Sequence, residues 1–300
     1  MKPKMIVNPV SGQHKAYKTK ASVIEYMKKR YALNDRDIFY TSKENHNLGA
    51  SFFEECDSLV VAGGDGTLHY AINTIKNLGL DIPLAYLPTG TVNDFGNALK
   101  LPRSYEGFTR MLEKGATKKI DIGLAGEEYF HYVVAGGAMN SISYTTNQTL
   151  KNVIGDKAYY LSALPKLPQI LSGTHIKIEC DHTEQEHDAL LYLVSKSAII
   201  GGIEGIVPGA KMDDGHLHVL VIQKKSWFNT LQLLLDIKNG NHLGRSDVLY
   251  FKTKRLRITQ FGDDIAKVGI DGEMHTTGLM DIEVIPRGLT MVVPCGSDVA

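Results

Sequence analysis

The sequence predicts a two-domain protein of the α/β plus β class, a parallel sheet with crossover helices followed by an antiparallel β-sandwich. Three observations carry this. The chain has 300 residues, more than one core usually fills, since single cores stop growing near ~250 residues. Over residues 1–121 short apolar runs alternate with longer amphipathic ones, the pattern of parallel strands joined by helices. After "KKIDIGLAG" (118–126) the texture changes to short alternating segments separated by Gly, Asp and Asn, as in a sandwich. The division falls at 121/122 and the second domain covers 122–287; the closing "LTMVVP", within 288–300, is able to return to either domain, and the sequence does not decide which.

In the first domain, strands are expected at 4–8 ("KMIVN"), 37–41 ("DIFYT"), 58–63 ("SLVVAG") and 82–88 ("IPLAYLP"). These are short apolar runs, and "SLVVAG", continuously apolar and too short for an amphipathic helix, reads as a strand covered on both faces. Between the first two, "AYKTKASVIEYMKKRYA" places Val23, Ile24 and Met27 at helical spacing, and "LGASFFEEC" predicts a shorter helix before the third. Phe108, Met111 and Leu112 mark another helix, ending near Gly115. Strands in the second domain are "EYFHYVVAG", "THIKIEC", "ALLYLVS", "HLHVLVIQ", "RLRITQ", "AKVGI" and "DIEVIP". Two helical segments interrupt them, "DKAYYLSALPKLPQIL" and "SWFNTLQLLLDIKNG". In the latter, Trp227, Phe228, Leu231, Leu234 and Leu235 form one stripe after Lys224 and Lys225. A helix covering the sheet explains that stripe more simply than a membrane-facing one. There is no internal repeat and no low-complexity tract.

Composition excludes several classes. With 33 basic and 33 acidic residues the formal net charge is zero, so no global field recruits nucleic acid or an anionic membrane, and any membrane contact has to be local. Cys56, Cys180 and Cys295 lack the paired spacing of a zinc or redox motif and read as reduced thiols. Met1 leads straight into a strand without the basic and apolar regions of a signal peptide, and no apolar run approaches ~18 residues. A cytoplasmic protein is expected, peripheral at most to the inner membrane face.

The most informative stretch is "SLVVAGGDGTLHYAINTI" (58–75). An apolar strand breaks at Gly63, Gly64 and Gly66, which permit close backbone approach, and a helix resumes with Leu68, Ala71, Ile72 and Ile75 on one face. Thr67 is the expected N-cap and Gly79 the stop. Strand, glycine turn and helix start together aim free N–H groups at an anion. Asp65 in such a cradle would repel a polyphosphate unless a cation lies between them, so it predicts Mg²⁺. "PLAYLPTGTVNDFGNAL" repeats the logic, with Gly90 and Thr91 in the loop and Asn93 or Asp94 as cap. "NPVSG" (8–12) ends a third strand of the same sheet. Three glycine-bearing loops at strand carboxyl ends predict a nucleotide site.

The motifs "NPVSG", "GGDGTLHYAI", "PTGTVNDF", "KKIDIG", "VPGAKMDDGHL" and "GIDGE", in this order from residue 8 to 273, resemble those of the diacylglycerol kinase catalytic domain and its bacterial soluble lipid kinases. The resemblance implies an N-terminal Rossmann-like three-layer α/β nucleotide-binding domain, a C-terminal β-sandwich and an interdomain cleft. It implies transfer of the ATP γ-phosphate to a lipid alcohol, diacylglycerol above all, with transient membrane contact and a homodimer. Carried over residue by residue, ATP contacts fall on Asn8, Pro9, Val10, Ser11, Gly12, Thr41, Gly64, Asp65, Gly66, Thr67, Leu68, His69, Tyr70 and Thr91. Glu273 corresponds to the proton acceptor. Asp65, Asp94 and Asp121 correspond to carboxylates that hold catalytic Mg²⁺ through water. "KMDDGH" corresponds to a separate structural cation loop, with Asp214 and main-chain oxygens near Lys211 and His216. Gly96 and Asn97 after "NDF", and "GGAMNS" in the second domain, depart from the family pattern where the acceptor is sensed.

Phosphoryl transfer asks mainly for alignment and charge neutralisation, and a carboxylate in reach of a lipid alcohol takes its proton as the bond forms. Read without the resemblance, "DGE" is also a common hairpin turn with a solvated Glu. Asp121 either completes the Mg²⁺ carboxylates or satisfies loop N–H groups. His216 and His218 read as surface histidines rather than a metal pair, since no third ligand is evident. Two other readings stay open: a soluble-substrate kinase of the NAD kinase kind with the same turn, against which "GTVNDF" argues, and a nucleotide-binding module without turnover. The apolar groove a lipid needs is expected near "YYLSALPKLPQIL".

Overall fold

The computed structural model describes residues 2–12, 14–42, 48–137, 173–181, 183–261 and 267–296. An N-terminal mixed α/β domain and a C-terminal β-sandwich-like domain are present. The first contains β1 (Pro3–Val7), α1 (His14–Tyr31), β2 (Ile38–Tyr40), β3 (Ser58–Gly63), α2 (Asp65–Asn77), β4 (Leu84–Pro88), α3 (Asp94–Ala98) and α4 (Tyr105–Lys114). A continuous strand, β5 (Ala116–Ala125), then runs through the expected division at 121/122. It leads to β6 (Glu128–Phe130), β7 (Val133–Gly136), β8 (Thr174–Cys180), β9 (Thr183–Ser195), β10 (Ile199–Ile200), β11 (Ile203–Glu204) and β12 (Leu217–Gln223). The chain continues with α5 (Trp227–Asn239), β13 (Val248–Thr253), β14 (Arg255–Phe261), β15 (Lys267–Ile270), β16 (Glu273–Thr276) and β17 (Leu279–Val293).

In the first domain the order is β2-β1-β3-β4, all parallel, and every residue of β3 and β4 is buried. Burial on both faces is what continuous apolar runs specify. Met5, Val23, Met27, Leu59, Leu68, Ile72 and Phe108 share this core. The segment "LGASFFEEC" forms only a short 3₁₀ turn over Ala50–Phe53, not a helix, with Phe53 as its one buried residue. One apolar anchor is too little to hold a regular helix so short.

The second domain pairs antiparallel throughout its described strands, and β12 is buried on both faces. Val219 and Val221 face one core with Tyr192, Val194 and Ile258. Leu220 and Ile222 alternate to the other, where Leu233 of α5 packs with Val207 and Ala210. So α5 covers the sheet, although Leu235, expected on its apolar stripe, is 55% exposed. The expected groove segment "YYLSALPKLPQIL" lies outside the described residues.

The two domains do not have separate sheets. β17 pairs antiparallel with β14 through 279–283 and with β5 through 282–293, and Met291 also pairs in parallel with Leu84 of β4. Its register shifts between Ile285 and Leu289, where Arg287 has φ 54°. This bulge bends one strand from the sandwich into the parallel sheet. No described helix is long and apolar enough to cross a membrane.

Candidate active site

Winding reverses at β1, which has β2 on one side and β3 on the other, and ligands of open α/β sheets bind outside the carboxyl ends at such a point. Three loops meet there. Asn8 Nδ2 donates to Thr67 Oγ1 at 3.2 Å, Ser11 Oγ lies 2.9 Å from Thr89 Oγ1, and Thr89 N donates to Gly63 O at 2.7 Å. The glycines are needed here: a Cβ on Gly12, at φ +79°, would lie 2.1 Å from Thr89 O, and one on Gly90 would lie 2.6 Å from the Gly64 Cα. Val10 and Thr91 are exposed on this rim, Pro9 beside them, and Thr41 is buried with its N–H on Val7 O.

The loop after β1 rests on Lys20. Its ammonium, 3% exposed, donates to Asn8 O at 2.7 Å, Pro9 O at 3.0 Å and Ser11 O at 2.8 Å. Burial lowers its pKa. Lys20 was not among the expected site residues, yet it was legible: it falls on the Val23/Met27 stripe of α1, where a lysine must find oxygen partners.

The glycine turn differs in detail from expectation. Helix α2 starts at Asp65 with Gly64 as N-cap, so Thr67 is not the cap. Its hydroxyl is instead used by Asn8. Leu68 is buried in the core, and Tyr70 turns towards Phe39, its hydroxyl accepting from Leu48 N at 3.1 Å. Those two side chains point away from the loop surface. Gly79, at φ +69°, follows the helix end as expected.

Asp65 Oδ2 accepts from Asp94 N at 3.3 Å, while Oδ1 is buried with no hydrogen-bond partner among the described residues. Burial raises the Asp65 pKa, with His131 acting in the opposite direction. A buried carboxylate oxygen with nothing to bind fits a cation. Asp94 accepts from Gly201 N at 2.6 Å and Gly202 N at 2.8 Å, which ties α3 to the turn between β10 and β11.

Glu273 comes to this turn from the other domain. Asp271, at φ 48°, and Gly272, at φ +93°, make the tight turn between β15 and β16. Glu273, exposed at the start of β16, places Oε1 so near α2 that a Cβ on Gly66 would lie 3.0 Å from it. The hairpin and the approach to the glycine turn therefore coexist.

Behind Glu273 the domains are joined by ionised groups. His69 Nδ1 lies 3.1 Å from Asp271 Oδ2 and its Nε2 2.7 Å from Glu128 Oε1, whose other oxygen is 2.9 Å from His275 Nε2. Burial disfavours the charge on His69, but the hydrogen bonds to Asp271 and Glu128 outweigh it and raise its pKa to about 10. Burial would raise Asp271, but His131 and His69 hold its pKa well below the usual carboxylate range. Asp271 also accepts from the N–H groups of His131, Tyr132 and Val133. His69, His131 and Asp271 form a buried group with potential metal ligand atoms within 4.8 Å of one another. Within it His131 Nδ1 lies 2.5 Å from Asp271 Oδ2, so the cluster is a candidate metal-binding site consistent with the use of Mg²⁺.

Asp121 is 2% exposed and fully engaged. Its Oδ2 accepts from Gly215 N at 2.7 Å and Lys196 Nζ at 3.1 Å, and its Oδ1 from Arg287 N at 2.9 Å, inside the β17 bulge. Asp214 and His216 lie in the same network, joined by Lys196. Lys211 is exposed beside it. His218 corrects an expectation: it is 0% exposed, not a surface residue, and its Nε2 meets Asp214 Oδ2 at 2.8 Å. No sequence pattern announced Lys196, which directly follows an apolar strand, or the His69–Asp271 pairing, which spans 202 residues.

The chain is similar to known proteins in sequence and in fold. Residues 2–125 match the diacylglycerol kinase catalytic domain, and residues 132–293 match the YegS C-terminal NAD kinase beta sandwich-like domain. A Staphylococcus epidermidis diacylglycerol kinase is 32% identical over 277 residues, 90% of this chain and 85% of that protein. A Staphylococcus aureus diacylglycerol kinase is 34% identical over 220 residues, 73% of this chain and 69% of that protein. The crystal structure of a Bacillus anthracis diacylglycerol kinase superposes with a TM-score of 0.72 at 22% identity, covering 99% of this chain and 98% of that one. A second Bacillus anthracis structure reaches 0.79 at 24% identity, covering 99% and 96%.

Proposed function

The chain belongs to the diacylglycerol kinase catalytic domain family, and on that premise we propose that it transfers the γ-phosphate of ATP to the hydroxyl of a lipid alcohol, diacylglycerol being converted to phosphatidate. The observation that carries this is the convergence of Glu273 from the sandwich with the Asp65–Gly66 turn from the parallel sheet. A phosphate acceptor and a phosphate donor meet best where a base from one half faces an anion cradle on the other.

The N–H groups of Gly64 to Gly66 and the loop at 8–12 hold the polyphosphate, with Thr41 and Thr91 at its margins. Gly66 has no side chain, so Glu273 reaches over the helix start to take the proton of the lipid hydroxyl as the new bond to phosphorus forms. Asp65, whose Oδ1 has no partner among the described residues, would hold Mg²⁺, with Asp94 behind it, and the ion would supply neutralisation of the charge developing on the phosphate oxygens. We assign Asp121 to its loop N–H partners, the second of the two roles open to it. We further propose a Rossmann-like nucleotide half over 1–121, rejoined by 288–300, a lipid half over 122–287, and a cleft between them. Contact with the cytoplasmic membrane surface is transient, and the homodimer is an expectation from the family.

The test uses purified protein, Mg²⁺ and γ-labelled ATP with dioleoylglycerol in mixed micelles, beside NAD and acceptor-free controls. Label in phosphatidate is the expected result. Label in NAD, or in neither acceptor while ATP still binds, would overturn the proposal.

A further inference from the structure

We propose that the "KMDDGH" loop carries its cation within the chain: the Lys196 ammonium occupies the position of the expected structural divalent ion, and the protein holds no such ion there. Lys196 follows β9, its side chain 0% exposed. Its Nζ donates to Asp121 Oδ2 at 3.1 Å, to Asp214 Oδ1 at 3.0 Å and to His216 O at 2.6 Å. An ammonium has three hydrogens, and these three oxygens use them all. Two of the acceptors, the Asp214 carboxylate and the His216 carbonyl, are ligands the family resemblance assigns to the cation.

The remaining valences are filled as well. Asp214 Oδ1 also accepts from His216 N at 3.1 Å, and Oδ2 meets His218 Nε2 at 2.8 Å with Lys252 Nζ at 3.7 Å. Asp121 takes Gly215 N and Arg287 N. Two carboxylates thus face two lysines, a balanced set without an added charge. Ca²⁺ or Mg²⁺ requires six or more oxygens at about 2.0–2.6 Å, and an ion bound to both Asp214 Oδ1 and His216 O would have to take two oxygens that Lys196 Nζ already holds at 3.0 and 2.6 Å. The site is built for one small cation, and the chain supplies it.

This inference concerns stability, so it stands or falls separately from the kinase assignment. A full-length parent and its Lys196→Ser variant would be melted by differential scanning fluorimetry after EDTA treatment, then with about 5 mM Ca²⁺ or Mg²⁺ and no nucleotide. To remove any contribution from Asp65, all proteins would carry Asp65→Asn. The parent Tm should not respond to chelation or to either ion. Lys196→Ser should melt about 5–10 °C lower, as expected for an opened buried ion network, and either ion should restore part of that loss. Restoration should vanish in Lys196→Ser/Asp214→Asn. A parent Tm that falls on chelation and returns with the ion overturns the proposal, and so does a Lys196→Ser loss that no ion repairs. If Lys196→Ser does not fold, equilibrium dialysis of the Asp65→Asn protein against labelled Ca²⁺ decides: no retained ion is expected, and about one equivalent held tightly overturns it.

Discussion

Replacing His69 by Gln tests the ionic joint between the domains. In the wild type a charged imidazole lies between Asp271 and Glu128, with its pKa raised from 6.5 to about 10. At ~1.36 kcal/mol per pH unit this corresponds to roughly 4–5 kcal/mol. Glu128 keeps 30% side-chain exposure and shares its charge with His275, so about 3 kcal/mol is the better figure, near the low end for a broken buried pair. The sign follows from the raised value. The stabilisation is complete below the unfolded pKa near 6.5 and is lost as pH rises through about 10. Urea unfolding of wild type and His69→Gln should therefore differ by about 3 kcal/mol at pH 6, with the gap narrowing steadily towards pH 10.5. A gap below ~1 kcal/mol at pH 6, or one that does not change with pH, would refute the reasoning.

Three further outcomes follow from the site. Glu273→Gln should lower kcat by about 10²- to 10⁴-fold with little change in ATP affinity measured by equilibrium binding. Asp65→Asn should abolish transfer but raise the stability of metal-free protein by about 1 kcal/mol in thermal melts, because it removes a negative charge that burial disfavours. Gly12→Ala should destabilise by at least ~2 kcal/mol and weaken ATP binding, since the new Cβ would sit 2.1 Å from a backbone oxygen at a positive φ; an unaffected melting curve would contradict the loop packing.

Much of this was readable in the sequence because it is local. β3, its glycine turn and α2 are contiguous, and their apolar periodicity changes where the structure changes. What stayed hidden is what distant segments do to one another. His218 reads like any histidine on a polar strand end, and only Asp214, Tyr250 and the sheet around them make it a buried one. "LTMVVP" gives a strand but no address, because pairing with Leu84 depends on a bulge that local propensity does not encode. The same limit applied to Asp121, whose partners come from the segments around 196, 215 and 287.

The course of β17 has a consequence for biosynthesis. The strand that lies beside β4 and β5 is made of residues up to Val293, so the parallel sheet waits for the far end of the chain before its inner edge is covered. A ribosome that has released only the first 125 residues presents β4 with an open flank, a template for pairing with other nascent chains. Glu273 and β17 emerge nearly together, so the Asp65–Gly66 turn meets Glu273 at about the time that flank closes. The Glu273 contact and sheet completion are thereby timed to the same stretch of translation, and an interrupted chain lacks both.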